Sequence, residues 1–306
     1  MLKEQILWLF GGKIRREIED LNVDFEKIQE IRIRAGCPII IMENGREHFI
    51  ETEVCLEDIR EIVESACGYS GYAFEEEIRR GYLTIAGGHR IGLAGRAVVN
   101  MQGIHTIKHI SALNIRIAHP VWGCGKVWQK FFYKENKPCH VLIISPPGCG
   151  KTTLLRDIVR MFSEGTENAS GVTVGVVDER SEIAGTYRGI ASHNLGIRTD
   201  VLDGCPKSQG MEMMLRSMAP KVLAVDEIGI YDVSAIENAL RCGCKVLATL
   251  HGECLNDYLE KPGFAALVNE KVFERYVFLK PERIPGKVSV IYGQEFEVLW
   301  EEKTCT

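Results

Sequence analysis

Residues 140–162 read HVLIISPPGCGKTTLLRDIVRMF. An unbroken apolar run is followed by a glycine turn, then by apolar residues at helical spacing, which predicts a buried strand, a loop and an amphipathic helix. The loop nearly matches the phosphate-binding pattern G-x-x-x-x-G-K-[ST], with Ser145 in place of the first glycine. Gly148 and Gly150 free the backbone to turn its N–H groups toward a phosphate, and the helix that follows adds its positive end. The candidate nucleotide cradle is Pro147, Gly148, Cys149, Gly150, Lys151, Thr152 and Thr153. In it Lys151 reaches the β- and γ-phosphates and the Thr152 hydroxyl binds a metal, so ATP and Mg²⁺ are the expected ligands. Ser145 closes the strand, and a small residue serves there if its backbone avoids positive φ.

Downstream, GVTVGVVDE (171–179) and KVLAVDE (221–227) are apolar runs ending in acids, and KVLATLHG (245–252) ends in His251. Such runs alternating with helices predict an α/β fold with a mostly parallel sheet covered on both faces. Ligands bind beyond the carboxyl ends of such strands, where Lys151, Asp178, Glu179, Asp226, Glu227 and His251 all fall. Asp226 is the candidate second Mg²⁺ ligand. Glu227 is the first choice for the acid that orients or deprotonates water, and Glu179 the second. A bland alternative for Asp178 and Glu179 is a helix cap with local ion pairs. His251 is a candidate γ-phosphate sensor.

Up to Pro138 the pattern differs. GKIRREIEDL and LEDIREIVESACGYS have helical spacing. EIRIRAGCPIIIMENGREHFI alternates on either side of Asn44-Gly45, which predicts a hairpin, and GYLTIAGGHRIGLAGRAVVN reads as two strands joined through Gly87-Gly88. With the polar break FYKENKPC, this gives a smaller α+β domain over 1–138 and an ATPase domain over 139–306.

The net charge of −5 argues against a whole-protein attraction to nucleic acid. The opening MLKEQILWLFGGK is too short and too charged for a secretory signal, and no long apolar run follows; the expected location is the cytoplasm, at a membrane only through a partner. The eleven cysteines lack zinc spacing and read as small core residues. Charge is segregated, however: no Asp or Glu occurs between Glu77 and Glu135, while Arg90, Arg96 and Arg116 do. One reading is a solvated face. Another is an anion-facing surface, meeting either ATP on a neighbouring subunit or nucleic acid. For the latter, Trp122, Trp128, Phe131, Phe132 and Tyr133 are candidate base-stacking residues.

The order SPPGCGKTT, VVDERSE, PKVLAVDE, VLATLHG resembles that of the type II and type IV secretion ATPases, with their Walker A loop, acidic box, Walker B strand and His box. GIRTDVLDGCPKSQGMEMMLRSMAPKVLAVDEIG and GHRIGLAGRAVV resemble the stage III sporulation protein AA family more closely. That resemblance implies a RecA-like, AAA-type P-loop ATPase core and a homohexameric ring. It further implies a membrane-embedded channel as partner, energised between mother cell and forespore. It carries nucleotide binding to the loop residues, metal and water handling to Asp226 and Glu227, support roles to Glu179 and His251, and ATP contacts to Arg90, Arg96 and Arg116. Nothing is carried onto the tail VFLKPERIPGKVSVIYG. Two other functions fit the same loop: a nucleic-acid-stimulated ATPase, and a nucleotide-gated scaffold with little turnover.

Overall fold

The computed structural model describes residues 2–21, 23–68, 74–101, 103–119, 121–282 and 285–302. The chain forms two compact units, one of Met1–His119 with Gly185–Ser192, the other of Pro120–Ala184 with His193–Thr306.

In the first unit, β1 (Ile28–Arg34), β2 (Ile39–Glu43), β3 (Arg46–Ile50), β4 (Tyr82–Ile85), β5 (His89–Asn100) and β6 (Gly103–Arg116) form an antiparallel sheet in the order β3-β2-β1-β6-β5-β4. The Asn44-Gly45 hairpin joins β2 to β3 with positive φ at both residues, 48° and 77°, as a two-residue turn of this kind requires. Gly87-Gly88 joins β4 to β5. Isoleucines at alternate positions, such as Ile31, Ile33, Ile39 and Ile41, fill one core. Among the described residues four α-helices complete the unit: α1 (Leu2–Leu7), α2 (Gly12–Asp20), α3 (Leu56–Ala66) and α4 (Glu75–Arg80). From the first three, Ile6, Ile14, Ile18, Ile59 and Ile62 join the core.

The second unit opens with a turn of helix, α5 (Gln129–Phe132), and a two-stranded ribbon of β7 (Tyr133–Lys134) and β8 (Lys137–Pro138). Its main strands are β9 (Val141–Ser145), β10 (Val174–Asp178), β11 (Thr199–Asp203), β12 (Val222–Val225), β13 (Lys245–His251), β14 (Arg275–Leu279), β15 (Val288–Tyr292) and β16 (Val298–Glu301). They form one sheet in the order β11-β10-β12-β13-β9-β14-β15-β16. The pairs from β11 to β14 are parallel, and β15 and β16 add an antiparallel edge. Both faces are covered, which is why the strands read as continuous apolar runs. Val141 and Ile143 pack with α6 (Lys151–Glu164) through Leu154, Leu155 and Ile158. Leu142 and Ile144 face the opposite layer of α7 (Lys207–Ser217), α8 (Val233–Arg241), α9 (Leu255–Leu259) and α10 (Ala265–Asn269). The fold is a RecA-like α/β core with a smaller α+β unit before it.

The units divide at Pro120, ahead of the polar break at FYKENKPC. The reason is packing. Asp157 of α6, buried, accepts the backbone N–H of Gly123 at 3.0 Å and of Gly125 at 2.7 Å. The Arg160 guanidinium lies over the Trp122 ring, Trp128 packs edge-on to Trp300, and Phe132 is fully buried. Four of the five aromatics considered for base stacking thus pack against the core of the second unit, and Trp122 is exposed with Arg160 over its ring.

Candidate functional site

The central strand β9 ends at Ser145, whose hydroxyl donates to the Pro146 carbonyl at 2.9 Å. Ser145 is outside the left-handed region, so the condition for replacing the usual glycine is met. Gly148 (φ 78°) and Gly150 (φ 90°) are left-handed, and α6 starts at Lys151. A side chain on Gly150 would overlap the Gly286 amide and lie 2.7 Å from the Pro285 carbonyl carbon; Gly286 N–H itself donates to the Cys149 carbonyl at 2.8 Å. The Pro285-Gly286 pair therefore buttresses the loop. On either side of it in sequence, Lys280 and Lys287 each pair with both Glu282 and Glu302. The Cys149 side chain is in the core, so only its backbone can face a ligand. Pro147 and Gly148 are exposed at the loop's crest.

Lys151 is buried, and its ammonium donates to the Ser145 and Pro146 carbonyls, both at 3.0 Å, and to His251 Nδ1 at 3.1 Å. An ammonium has no lone pair to offer, so Nδ1 is the acceptor and Nε2 carries the ring proton. Nε2 then donates to Glu227 Oε1 at 2.7 Å. His251 bridges the loop lysine to the candidate water-handling acid. The register places it there: His251 is the pairing partner of Ser145 across β13 and β9. Burial pushes the Lys151 ammonium down from its ordinary pKa, and Glu227 and Asp226 oppose that shift.

Thr152 Oγ1 donates to Asp226 Oδ2 at 2.6 Å. Thr249, fully buried two residues before His251, donates to Asp226 Oδ1 and accepts the Glu227 N–H at 2.8 Å. Glu227 is left-handed, with φ 50°, a conformation uncommon for a residue with a side chain. The Glu227 N–H also donates to Asp226 Oδ1 at 3.1 Å, and Lys207 donates to the Glu227 carbonyl. The hydroxyl and carboxylate of Thr152 and Asp226 are an all-oxygen pair suited to Mg²⁺, which keeps several waters and takes the rest of its shell from phosphates. No cluster of three acidic, His or Cys side chains that could hold a metal by itself occurs among the described residues. The ion's fit is therefore to a site completed by nucleotide.

The acidic box divides in two. Asp178 is buried and accepts the backbone N–H groups of Glu182, Ile183 and Ala184 at 2.8–2.9 Å. Burial pushes its carboxyl up to about 6, against the pull of those amides. Asp178 is committed to holding a turn. Glu179 faces Lys207 at 3.6 Å, and Arg180 Nη1 donates to Glu227 Oε2 at 2.8 Å. Arg156, on α6 one turn beyond Thr152, has a buried Nε without a hydrogen-bond partner; burial lowers its pKa while Asp226 and Asp178 counter it.

The loop residues, Asp226, Glu227, Glu179 and His251 thus meet at the carboxyl ends of adjacent strands of the second unit. Arg90, Arg96 and Arg116 belong to the first unit. Arg90 and Arg116 are register partners on β5 and β6, Arg96 is opposite Lys108 farther along, and Arg90 stacks on Tyr82. Sequence reasoning missed Thr249, Lys207, the Arg180 contact and the Pro285-Gly286 buttress. A signal for Thr249 was present: in ATLH it shares a strand face with His251. The buttress had no local signal.

The family model for Sporulation stage III, protein AA matches residues 1–299. Stage III sporulation protein AA of Bacillus subtilis (strain 168) is 42% identical over 283 residues, covering 91% of this chain and 92% of that protein. The pilus retraction motor PilT, solved with bound ADP, is similar in fold, with a TM-score of 0.57 at 14% identity over 98% of this chain and 84% of that one. The ATPase DotB of Legionella pneumophila gives 0.56 at 15% identity over 87% and 75%.

Proposed function

The chain belongs to the Sporulation stage III, protein AA family, and from that premise we propose that it is a Mg²⁺-dependent ATP-hydrolysing motor subunit of a ring that energises a sporulation-associated channel between mother cell and forespore. The observation that carries the enzymatic part is the Lys151–His251–Glu227 bridge beside the Thr152–Asp226 contact. It links the group that would hold the β- and γ-phosphates to the group that would handle water, and a mere binding loop does not need that link.

The roles follow from the donors. The loop amides and the start of α6 receive the phosphates, and Lys151 exchanges its two carbonyl contacts for phosphate oxygens. Thr152 and Asp226 would hold Mg²⁺, which offsets charge on the phosphates. Glu227 orients the attacking water and takes its proton, with His251 fixing one carboxylate oxygen. Glu179, paired with Lys207, is the supporting acid. Arg90, Arg96 and Arg116 are proposed to face the nucleotide of a neighbouring subunit, where an arginine stabilises charge on the transferring phosphoryl group. The ring is proposed as a homohexamer and its membrane association as indirect; no helix among the described residues is long and apolar enough to cross a membrane.

The test combines Mg²⁺-dependent phosphate release with mass by light scattering, with and without ATP. Release by the wild type, its loss in Lys151→Ala, and a mass rise with ATP and Mg²⁺ are expected. ATP binding without release would reduce the protein to a gated scaffold. A monomer under all conditions would end the shared-interface mechanism.

A further inference from the structure

Glu227 is held at both carboxylate oxygens. His251 takes Oε1, and Arg180 takes Oε2. Arg180 stands at the start of the connection from β10 to β11, whose root is tightly fixed. Asp178 gathers the Glu182, Ile183 and Ala184 amides, Ser181 (φ 52°) donates to Asp203 at 2.7 Å, and His193 N–H closes onto the Ala184 carbonyl at 3.0 Å. Between Ala184 and His193 runs a strap, Gly185–Ser192, that belongs to the first compact unit. There Tyr187 packs on the isoleucine core, Tyr187 and Ile190 exchange backbone hydrogen bonds, and Arg188 fills the space a side chain on Gly68 would need. The residue that pairs with the water-handling acid is thus a short, stiff turn away from a segment anchored in the other unit.

A carboxylate oxygen engaged by a guanidinium is held in that direction and must leave it before it can turn to hold a water, so the contact competes with the orienting role. We infer that Arg180 is a positioning residue that restrains Glu227 Oε2, and that the strap anchored by Tyr187 sets how firmly it does so. The inference rests on the ATPase reading above. It adds that turnover in one unit is governed through a segment of the other. The ion pair is exposed on the Arg180 side and half-buried on the Glu227 side, so the restraint is modest and readily released.

Steady-state ATP hydrolysis of the full chain tests this in four proteins: wild type, Arg180→Ala, Tyr187→Ala and the double variant. Release of Arg180 should raise kcat by about two- to fivefold, the range an exposed ion pair makes available, with little change in KM. Tyr187→Ala should raise kcat in the wild-type background and add nothing once Arg180 is gone, because the two act in series. Arg180→Lys, which keeps the charge but not the fork, should fall between. The exposed Arg188→Ala replaces Tyr187→Ala if that variant melts early. A fall in kcat for Arg180→Ala, or effects of the two substitutions that multiply independently, would overturn the inference while leaving the ATPase reading intact. A wild type with no ATP turnover removes both.

Discussion

Thr249→Val replaces a buried hydroxyl by a methyl of the same shape, at the point where β13 supports both acids. The wild-type hydroxyl donates to Asp226 Oδ1 and accepts the Glu227 N–H at 2.8 Å. The Glu227 N–H keeps Asp226 Oδ1 as a second acceptor at 3.1 Å, so the variant does not leave it wholly unpaired. What is lost is chiefly one hydrogen bond to a charged group, about 1.5–3 kcal/mol. Burying the new methyl returns up to about 0.8 kcal/mol. The expected net loss of stability is therefore about 1–2 kcal/mol, read as a lower urea midpoint at unchanged slope. Because the same contact holds Glu227 at positive φ, a similar loss applies to the oriented acid, and kcat should fall by about tenfold. Thr249→Ser is the control: it keeps the hydroxyl, costs about 0.8 kcal/mol of buried methyl, and should keep kcat near wild type. Equal turnover in the two variants would show that the hydroxyl does not orient the acid, and would refute the reasoning.

Glu227→Gln should lower kcat by about 10²–10⁴-fold with ATP affinity retained, as loss of a general base does, while Glu179→Gln, whose partner is Lys207, should cost far less; single-turnover hydrolysis beside equilibrium nucleotide binding separates the two. Gly150→Ala must place a side chain at φ 90° against the Pro285-Gly286 backbone, so both the melting temperature and nucleotide affinity should fall, whereas alanine at Gly148, which is equally left-handed but has open space around it, should disturb stability less. Burial lowers the His89 pKa to about 4, its Nδ1 accepting the Ala118 N–H at 3.0 Å. An unfolded chain then binds the extra proton first as acid is added, so stability should be full above about pH 6.5 and decline toward pH 4, and chemical denaturation across that range should show a shallower decline for His89→Gln.

The second unit was legible because each of its signals is local. The run from Val141 to Ile144, the glycines and Lys151 lie within one stretch, and burial on both sheet faces is written directly into strand composition. Asp226, Glu227 and His251 were placed by the rule that strand ends converge. The hairpin at Asn44-Gly45 was equally plain, since only a few dipeptides accept two left-handed residues. What escaped depends on contacts between distant segments. Gly286 reaches Cys149 through the return of β14, and Arg180 reaches Glu227 only because β10 and β12 are neighbours in the sheet. The acidic box shows the limit most sharply. Asp178 and Glu179 are adjacent and chemically alike, yet one is consumed by three backbone amides and the other faces a lysine. Nothing in the two letters distinguishes a carboxylate that props a turn from one that is available for chemistry.

The Asp157 carboxylate bears on where the second unit of the chain can be cut. Besides Arg160 on its own helix, its two oxygens accept the amides of Gly123 and Gly125, far back in sequence and before the polar stretch that looks like a natural seam. A shorter protein begun at Cys139 would keep every strand of the sheet and the whole phosphate loop. It would also take both amides from a buried acid in the helix that follows that loop, leaving it Arg160, and uncover Phe162 where Tyr133 now leans on it. The beginning of this second unit is set by a carboxylate that gathers two amides, upstream of the point where composition changes.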